Sequence, residues 1–304
     1  MKTFIRSVTL FLLVLAGSFA QSISLYDIEV LQEKSSILHC ELQELSDMLS
    51  MSESFLQYES EYKLDLLSAD VQGSSLELMF SELAQSQIIL LGDNHTNPDS
   101  QTQSLELMSR LRSLRQPIQL VIEWIDVSYQ RVVNQYLMGG LELSEVREKI
   151  DYQKLWGFDW DSYSRVLEYA KENSIPVHLV ENLKKSQSLT VRDDLIEKKV
   201  LELIKAHSDQ SVLVIYGTYH VLGENHLLER FLNHDLRTTA VISQAEDAYW
   251  SHLQTSLNLD HSSVLSLGEN RYYWHASSPL EQLEKERQYY LFLMGMDEDE
   301  TFCY

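Results

Sequence analysis

Five short apolar runs, separated by segments with helical spacing, constrain the fold of this chain most strongly. The runs are rich in β-branched and aliphatic residues, which pack well in buried strands. The segments between them repeat apolar residues three and four positions apart, as amphipathic helices do. This alternation predicts an α/β fold with a mostly parallel β-sheet flanked by helices. The runs are Ile88–Leu91, Leu120–Ile122, Val177–Val180, Val212–Tyr216 and Thr239–Ile242.

The segments around these runs supply helices and two further strands. We expect one helix around residues 163–170 and another over residues 191–204, each leading into a strand. In the last part of the chain, Val264–Leu267 and Tyr272–Trp274 predict an edge pair of strands. An amphipathic helix from Pro279 to about Leu293 follows this pair.

The first twenty residues have the features of a signal peptide. Lys2 and Arg6 precede an apolar run from Val8 to Ala16, and small residues at Ser18 and Ala20 suit cleavage. The run is too short for an ordinary transmembrane helix, although an uncleaved anchor is the alternative. We therefore expect an exported protein, periplasmic or secreted, with no transmembrane helix in the mature chain.

The remaining chain divides by composition into three parts. Residues 21–85 are acidic and predict two or three helices, which either cover a face of the sheet or form a separate helical subdomain. Residues 86–295 contain the α/β domain, and residues 296–304 predict a flexible acidic tail. An oxidising compartment would permit a bridge between Cys40 and Cys303, but their spacing does not decide whether they pair.

The charge of the chain argues against one class of partner. The 304 residues include 24 basic and 46 acidic side chains, a formal net charge of −22. Such a chain repels phosphate backbones and anionic headgroups, so we expect no nucleic-acid partner.

Polar side chains follow the apolar runs, at the edge of a parallel sheet where ligands bind. His95 comes after the first run, Glu123 after the second and His220 after the fourth, with Gly92 and Gly217 beside the two histidines. Imidazole and carboxylate groups together suit a metal site or a hydrolytic site. We predict that the ligands of a divalent metal would be His95, Glu123, His220 and Asp93.

Each of these residues also has a purely structural interpretation. His95 could cap the following helix, Glu123 could pair with an arginine such as Arg192, and His220 could be a hydrogen-bonded pocket histidine. Two histidines at strand ends together favour a site. Between the second and third runs, the aromatic cluster of residues 156–163 could line a pocket for a flat ligand or form a core below a loop.

The order of these motifs resembles that of ChaN-like haem-binding uptake domains. Residues 89–98 (ILLGDNHTNP) resemble the opening motif, and residues 120–123 resemble the second strand of the family, which ends in Glu. The aromatic segment 156–160 with Tyr163 and the closing GxxH strand, residues 214–220, follow in the order of the family. The similarity covers roughly residues 86–245, and it places the chain in the wider superfamily of Tiki, TraB and erythromycin-esterase-like proteins.

This resemblance implies binding of haem or iron at the cell envelope, for uptake or handling. The expected cofactor-binding residues are Tyr219, His220, Tyr163 and Trp160, with no axial ligand assigned and a homodimer left open. Two departures stand out: Asp93 replaces the Glu usual in the family, and Ser18 stands where the lipidated Cys would be, so we expect no lipoprotein.

The superfamily also implies an alternative, a hydrolase of the Tiki or erythromycin-esterase-like type. Its catalytic residues would be His95, Glu123 and His220, with or without a metal ion. A third reading is a non-catalytic domain whose acidic N-terminal helices bind another protein.

Overall fold

The computed structural model describes residues 25–49, 51–185, 187–256, 264–297 and 303. The predicted signal peptide, residues 1–20, lies outside these ranges. Among the helices within them, none combines the length and the apolar character needed to cross a bilayer.

The described strands form one mixed sheet, which confirms the predicted α/β fold. Eight strands of the described chain pair in the order β1-β7-β8-β6-β2-β5-β3-β4. The six from β8 to β4 run parallel, and β1, β7 and β8 pair antiparallel. The strands are β1 Gln72–Ser74, β2 Ile88–Asp93, β3 Ile118–Ile122, β4 Val177–Leu179, β5 Ser211–Gly217, β6 Thr238–Ile242, β7 Val264–Ser266 and β8 Arg271–Trp274.

Helices cover both faces of this sheet. Successive residues of a strand point to opposite faces, and in the central strands apolar residues lie on both faces. Ile89 and Leu91 of β2 pack in one core with helices α3 to α8, and Ile88 and Leu90 pack in the other with α2, α9, α10 and α11. The helices are α1 Leu25–Leu49, α2 Glu53–Leu67, α3 Leu76–Leu83, α4 Pro98–Ser113, α5 Gln130–Leu137, α6 Leu143–Lys149, α7 Tyr152–Leu155, α8 Trp160–Glu172, α9 Leu189–Ala206, α10 Leu227–Leu232, α11 Glu246–Ser256 and α12 Pro279–Met294.

The N-terminal segment is built into the sheet and its helical layer. The predicted pairing of β7 with β8 is confirmed, but β1 pairs with β7, so the predicted position of this pair at the edge of the sheet is wrong. The physical reason is that each strand of the pair has a second partner. β1 forms backbone hydrogen bonds with β7, and β6 forms them with β8. Helix α1 packs on α12 and α11, and buried Glu41 forms an ion pair with Arg287 of α12.

A disulfide joins the two ends of the described chain. Cys40 on α1 bonds Cys303, 263 residues further along the chain. The pairing that the sequence left open is present, and the tail predicted to be flexible is attached to α1 at Cys303. A crosslink across so much of the chain restricts the unfolded ensemble strongly.

Cys40→Ser should therefore lower the free energy of unfolding by about 2–4 kcal/mol. Denaturant unfolding followed by circular dichroism measures this loss. The wild type in reducing agent is the matched control and should unfold like the variant. A variant with the midpoint of the oxidised wild type would contradict a stabilising role for the bridge.

Candidate functional site

A cavity of about 380 Å³ lies beyond the carboxyl ends of β2 and β5. Parallel strands bring the side chains that follow them to the same edge, so residues distant in sequence meet there. Asp93 and His95 come from the end of β2, Glu123 from the end of β3, and Tyr219 and His220 from the turn after β5. The structure thus brings together all the predicted catalytic residues at one cavity.

A buried group of three charges forms the floor beside this cavity. Arg192, in the first turn of α9, donates to Glu123 after β3 and, from Nε at 2.9 Å, to Glu181 after β4. Both carboxylates are 3% exposed. Burial by itself raises the pKa of Glu123, but Arg192 and the imidazoles of His95 and His220 lower it below its ordinary value. Glu123 is therefore an anion, and the arginine partner considered in the sequence is present.

His95 is held by carboxylates on two sides. Its Nδ1 lies 2.9 Å from Asp93 Oδ2, and its Nε2 lies 3.6 Å from Glu123 Oε2. Burial lowers the pKa of His95, but Glu123 and Asp93 outweigh burial and raise it above 6.5. The resulting stabilisation is fully present below the unfolded pKa and is lost as the pH rises through the folded pKa.

His220 has a carboxylate partner of its own. Its Nδ1 lies 2.5 Å from Oδ1 of the fully buried Asp193 on α9. An ionised carboxylate only accepts hydrogen bonds, so this contact favours the tautomer that has the proton on Nδ1 and the lone pair on Nε2. Such an imidazole can bind a metal centre or act as a base.

Gly217 allows these groups to approach one another. A Cβ at this position would lie 3.0 Å from His95 Nε2 and 3.4 Å from Glu123 Oε2. Its backbone N–H also donates to Glu123 Oε2 at 2.6 Å. The glycine of the second GxxH motif therefore lets His95 and Glu123 pack against the backbone, and its N–H binds the carboxylate of Glu123.

Aromatic rings form one wall of the cavity. Trp156 and Phe158, in the connection from α7 to α8, lie with ring centroids 4.7 and 5.2 Å from that of His95. Phe158 stacks on Tyr289 of α12 at 4.8 Å. The aromatic segment therefore lines a pocket, which was one of its two interpretations.

Two of the predicted cofactor-binding residues lie behind this wall. Trp160 packs against Tyr152, with ring centroids 4.8 Å apart, and is absent from the cavity lining. Tyr163 is buried and donates to Asp93 Oδ2 at 2.5 Å. Neither residue lines this cavity, because α8 begins at Trp160 and turns its apolar face to the core, and their part in cofactor binding stays a prediction.

The sequence missed lining residues from two helices far away in the chain. Glu286, Tyr289, Tyr290 and Leu293 come from α12, and Phe55 comes from α2. The predicted amphipathic helix near the C-terminus was the available signal for α12. No local pattern indicates which sheet edge a helix covers, and this depends on the tertiary packing of α1 against α12.

The four predicted metal ligands do not form a compact set. In the described part of the chain, three ligand atoms lie within 4.8 Å of one another only at Cys40, Glu44 and Cys303, two of which are in the disulfide. Asp93 is bound by Tyr163 and Gln101, and both oxygens of Glu123 accept from Arg192 and Gly217. The side chains are therefore hydrogen-bonded to one another instead of converging on one point.

Arg192→Met should destabilise the protein by about 3–5 kcal/mol, because it leaves Glu123 and Glu181 buried without a cation. Chemical denaturation measures the loss. Arg131→Met, at an exposed position on α5, is the control and should change stability little. Equal stabilities of the two variants would contradict the role assigned to Arg192.

Glu123→Gln should lower the pKa of His95, since it removes a carboxylate whose charge raises that pKa. NMR titration of the imidazole signals measures the shift. Glu106→Gln, which alters an exposed ion pair on α4, is the control. An unchanged pKa of His95 in the Glu123 variant would refute this electrostatic coupling.

Comparison with solved structures gives weak overall similarities. The ChaN protein of Campylobacter jejuni, solved with cofacially bound haem, is 12% identical, with a TM-score of 0.41 over 56% of this chain and 86% of that one. The type III effector HopBA1 is 16% identical, with a TM-score of 0.42 over 57% and 86% of the two chains. The C-terminal region of Pasteurella multocida toxin is 11% identical, with a TM-score of 0.41 over 71% of this chain and 30% of that one.

A sequence-family comparison is more specific. No curated protein matches the chain. Residues 79–187 match the family described as haem-binding uptake, Tiki superfamily, ChaN. This range contains β2, β3 and β4 with His95, Glu123 and the aromatic segment. The match confirms the resemblance found in the sequence, over residues 79–187 of the 304 in the chain.

Proposed function

We propose that this protein binds haem in the cavity at the ends of β2 and β5. The observation that carries the proposal is the combination, in a ChaN-like domain, of an aromatic wall with an oriented imidazole in the same cavity. Haem is held in proteins by a nitrogen or oxygen donor on the iron and by apolar contacts with the ring.

The shape and lining of the cavity suit a flat apolar ring. Its volume of about 380 Å³ is in the lower part of the range for ligand pockets, so a macrocycle would extend past the mouth. Trp156, Phe158 and Tyr289 offer ring faces or edges for contact. Leu293, half exposed at the mouth, offers apolar surface to the part outside.

Of the two predicted iron donors in the lining, His220 suits the role better than Tyr219. Tyrosine binds ferric iron as phenolate, but burial, Glu286 and Glu59 raise the pKa of Tyr219 well above its ordinary value. The neutral imidazole of His220 already has a free lone pair on Nε2 because Asp193 accepts from Nδ1.

Charge in the cavity supports one orientation of the ligand. Asp93, Glu123 and Glu286 line it, whereas Arg192, the one arginine or lysine in its lining among the residues described, is already paired with carboxylates. Haem propionates are anionic and would be repelled from this floor. We infer that the propionates face the solvent at the mouth.

The proposal extends to handling of haem or iron outside the cytoplasm. Two features support export: the signal-peptide pattern of residues 1–20 and the Cys40–Cys303 disulfide, since such bridges form in oxidising compartments. Ser18 in place of a lipidated Cys supports a protein without a lipid anchor.

The hydrolase remains the second candidate, favoured by the position of His95. Asp93 orients its Nδ1, so that Nε2 faces Glu123 and the cavity, as expected of a general base. In a metal-free version, the backbone and side chains around Gly217 would bind the substrate. The two candidate functions differ in their need for His95. The hydrolase requires it, whereas haem binding through His220 does not.

Hemin titration of the purified protein should give a saturable shift of the Soret band. Phe158→Ala should weaken binding by roughly tenfold, because it removes a ring from the wall. Phe292→Ala is the matched control, since Phe292 is exposed on the same helix as Tyr289 but lies outside the lining.

His220→Gln should both weaken hemin binding and move the band, whereas His95→Ala should leave the band position unchanged. Absorption that rises linearly with added hemin, with no saturation, would refute the proposed function.

A further inference from the structure

Helix α2 contacts the functional site, although it lies outside the segment that matches the family. The buried Tyr58 of α2 donates from its hydroxyl to Oδ2 of Asp193, over 3.0 Å. The other oxygen of Asp193 accepts from Nδ1 of His220 over 2.5 Å. One carboxylate thus links α2 to the imidazole at the cavity.

The packing around these groups keeps them in place. The ring of Tyr58 stacks on that of His226, 4.1 Å away, and meets the ring of His220 edge on at 5.7 Å. His226 is itself buried and pairs with Glu61 of α2 at 2.8 Å. On another side, the ring centroid of Tyr216, on β5, lies 5.9 Å from that of His220. The imidazole therefore has little freedom to turn.

We propose that Tyr58 and Asp193 are positioning residues that hold His220 in the Nδ1-protonated tautomer, with the Nε2 lone pair directed to a haem iron. The proposal rests on the proposed function for its ligand, whereas the tautomer belongs to the protein alone. It makes α2 part of the site, whereas the sequence left open a layer on the sheet, a separate helical subdomain or a protein-binding surface.

The chemistry predicts two consequences. An imidazole that donates Nδ1–H to a carboxylate is a more basic ligand at Nε2, and loss of such a partner typically weakens metal binding by about 10–100-fold. A more basic axial ligand also stabilises ferric over ferrous haem. Removal of the carboxylate should therefore weaken hemin binding and raise the reduction potential.

The first experiment uses the protein without haem. Long-range ¹H–¹⁵N NMR of the histidine rings, with His220 assigned from the spectrum of His220→Gln, reports which nitrogen carries the proton. We expect Nδ1–H in the wild type and a population of Nε2–H in Asp193→Asn. An Nε2-protonated His220 in the wild type would overturn the proposal, whether or not haem binds.

The second experiment compares haem complexes of Asp193→Asn and Tyr58→Phe. We expect hemin affinity to fall at least tenfold in Asp193→Asn, with a higher reduction potential, and a smaller change of the same sign in Tyr58→Phe. The controls change two buried residues that do not line the cavity, Asp126→Asn and Tyr272→Phe, and should change neither quantity.

The outcomes separate the two proposals. Near-UV circular dichroism checks folding, and Tyr58→Phe, which loses one hydroxyl group, keeps the test valid if Asp193→Asn does not fold. Unchanged hemin affinity and reduction potential in folded variants would overturn the positioning role of Tyr58 and Asp193, while haem binding stands. A wild type that binds no hemin would refute the proposed function, and the NMR result would still decide the tautomer.

Discussion

The buried contact of Arg192 with Glu123 and Glu181 is the interaction on which the rest of the site depends. It joins the ends of β3 and β4 to the first turn of α9, and so fixes three separate elements at one edge of the sheet. Ion pairs at this depth lose much of their attraction to desolvation, so they add specificity more than stability. Next to this group, Glu123 and Asp93 raise the pKa of His95, although burial and Arg192 lower it.

The two histidines differ because of what surrounds them. His95 has carboxylates near both ring nitrogens, so its proton is stabilised and its lone pair is less available. His220 has its carboxylate partner on Nδ1, through Asp193, and this leaves Nε2 for a ligand. The two GxxH motifs thus provide different groups, although their local sequences are alike. The first provides an imidazole between carboxylates, and the second provides a nitrogen that can bind a ligand.

Much of the fold and part of the site could be predicted from sequence. The β-branched runs and their helical spacers specify the parallel strands, and polar residues after the runs place His95, Glu123 and His220 at one edge. Trp160 does not line the cavity, because the helical phase set by the start of α8 turns its side chain to the core. The contributions of β1, α2 and α12 depend on contacts between distant segments, for which short-range patterns carry no signal.

A crystal structure of the protein with hemin tests the central claim most directly. The account predicts one porphyrin against Trp156 and Phe158, its iron bound to Nε2 of His220 and its propionates at the mouth of the cavity. Haem bound elsewhere on the surface, or bound in the cavity through a side chain other than His220, would contradict it.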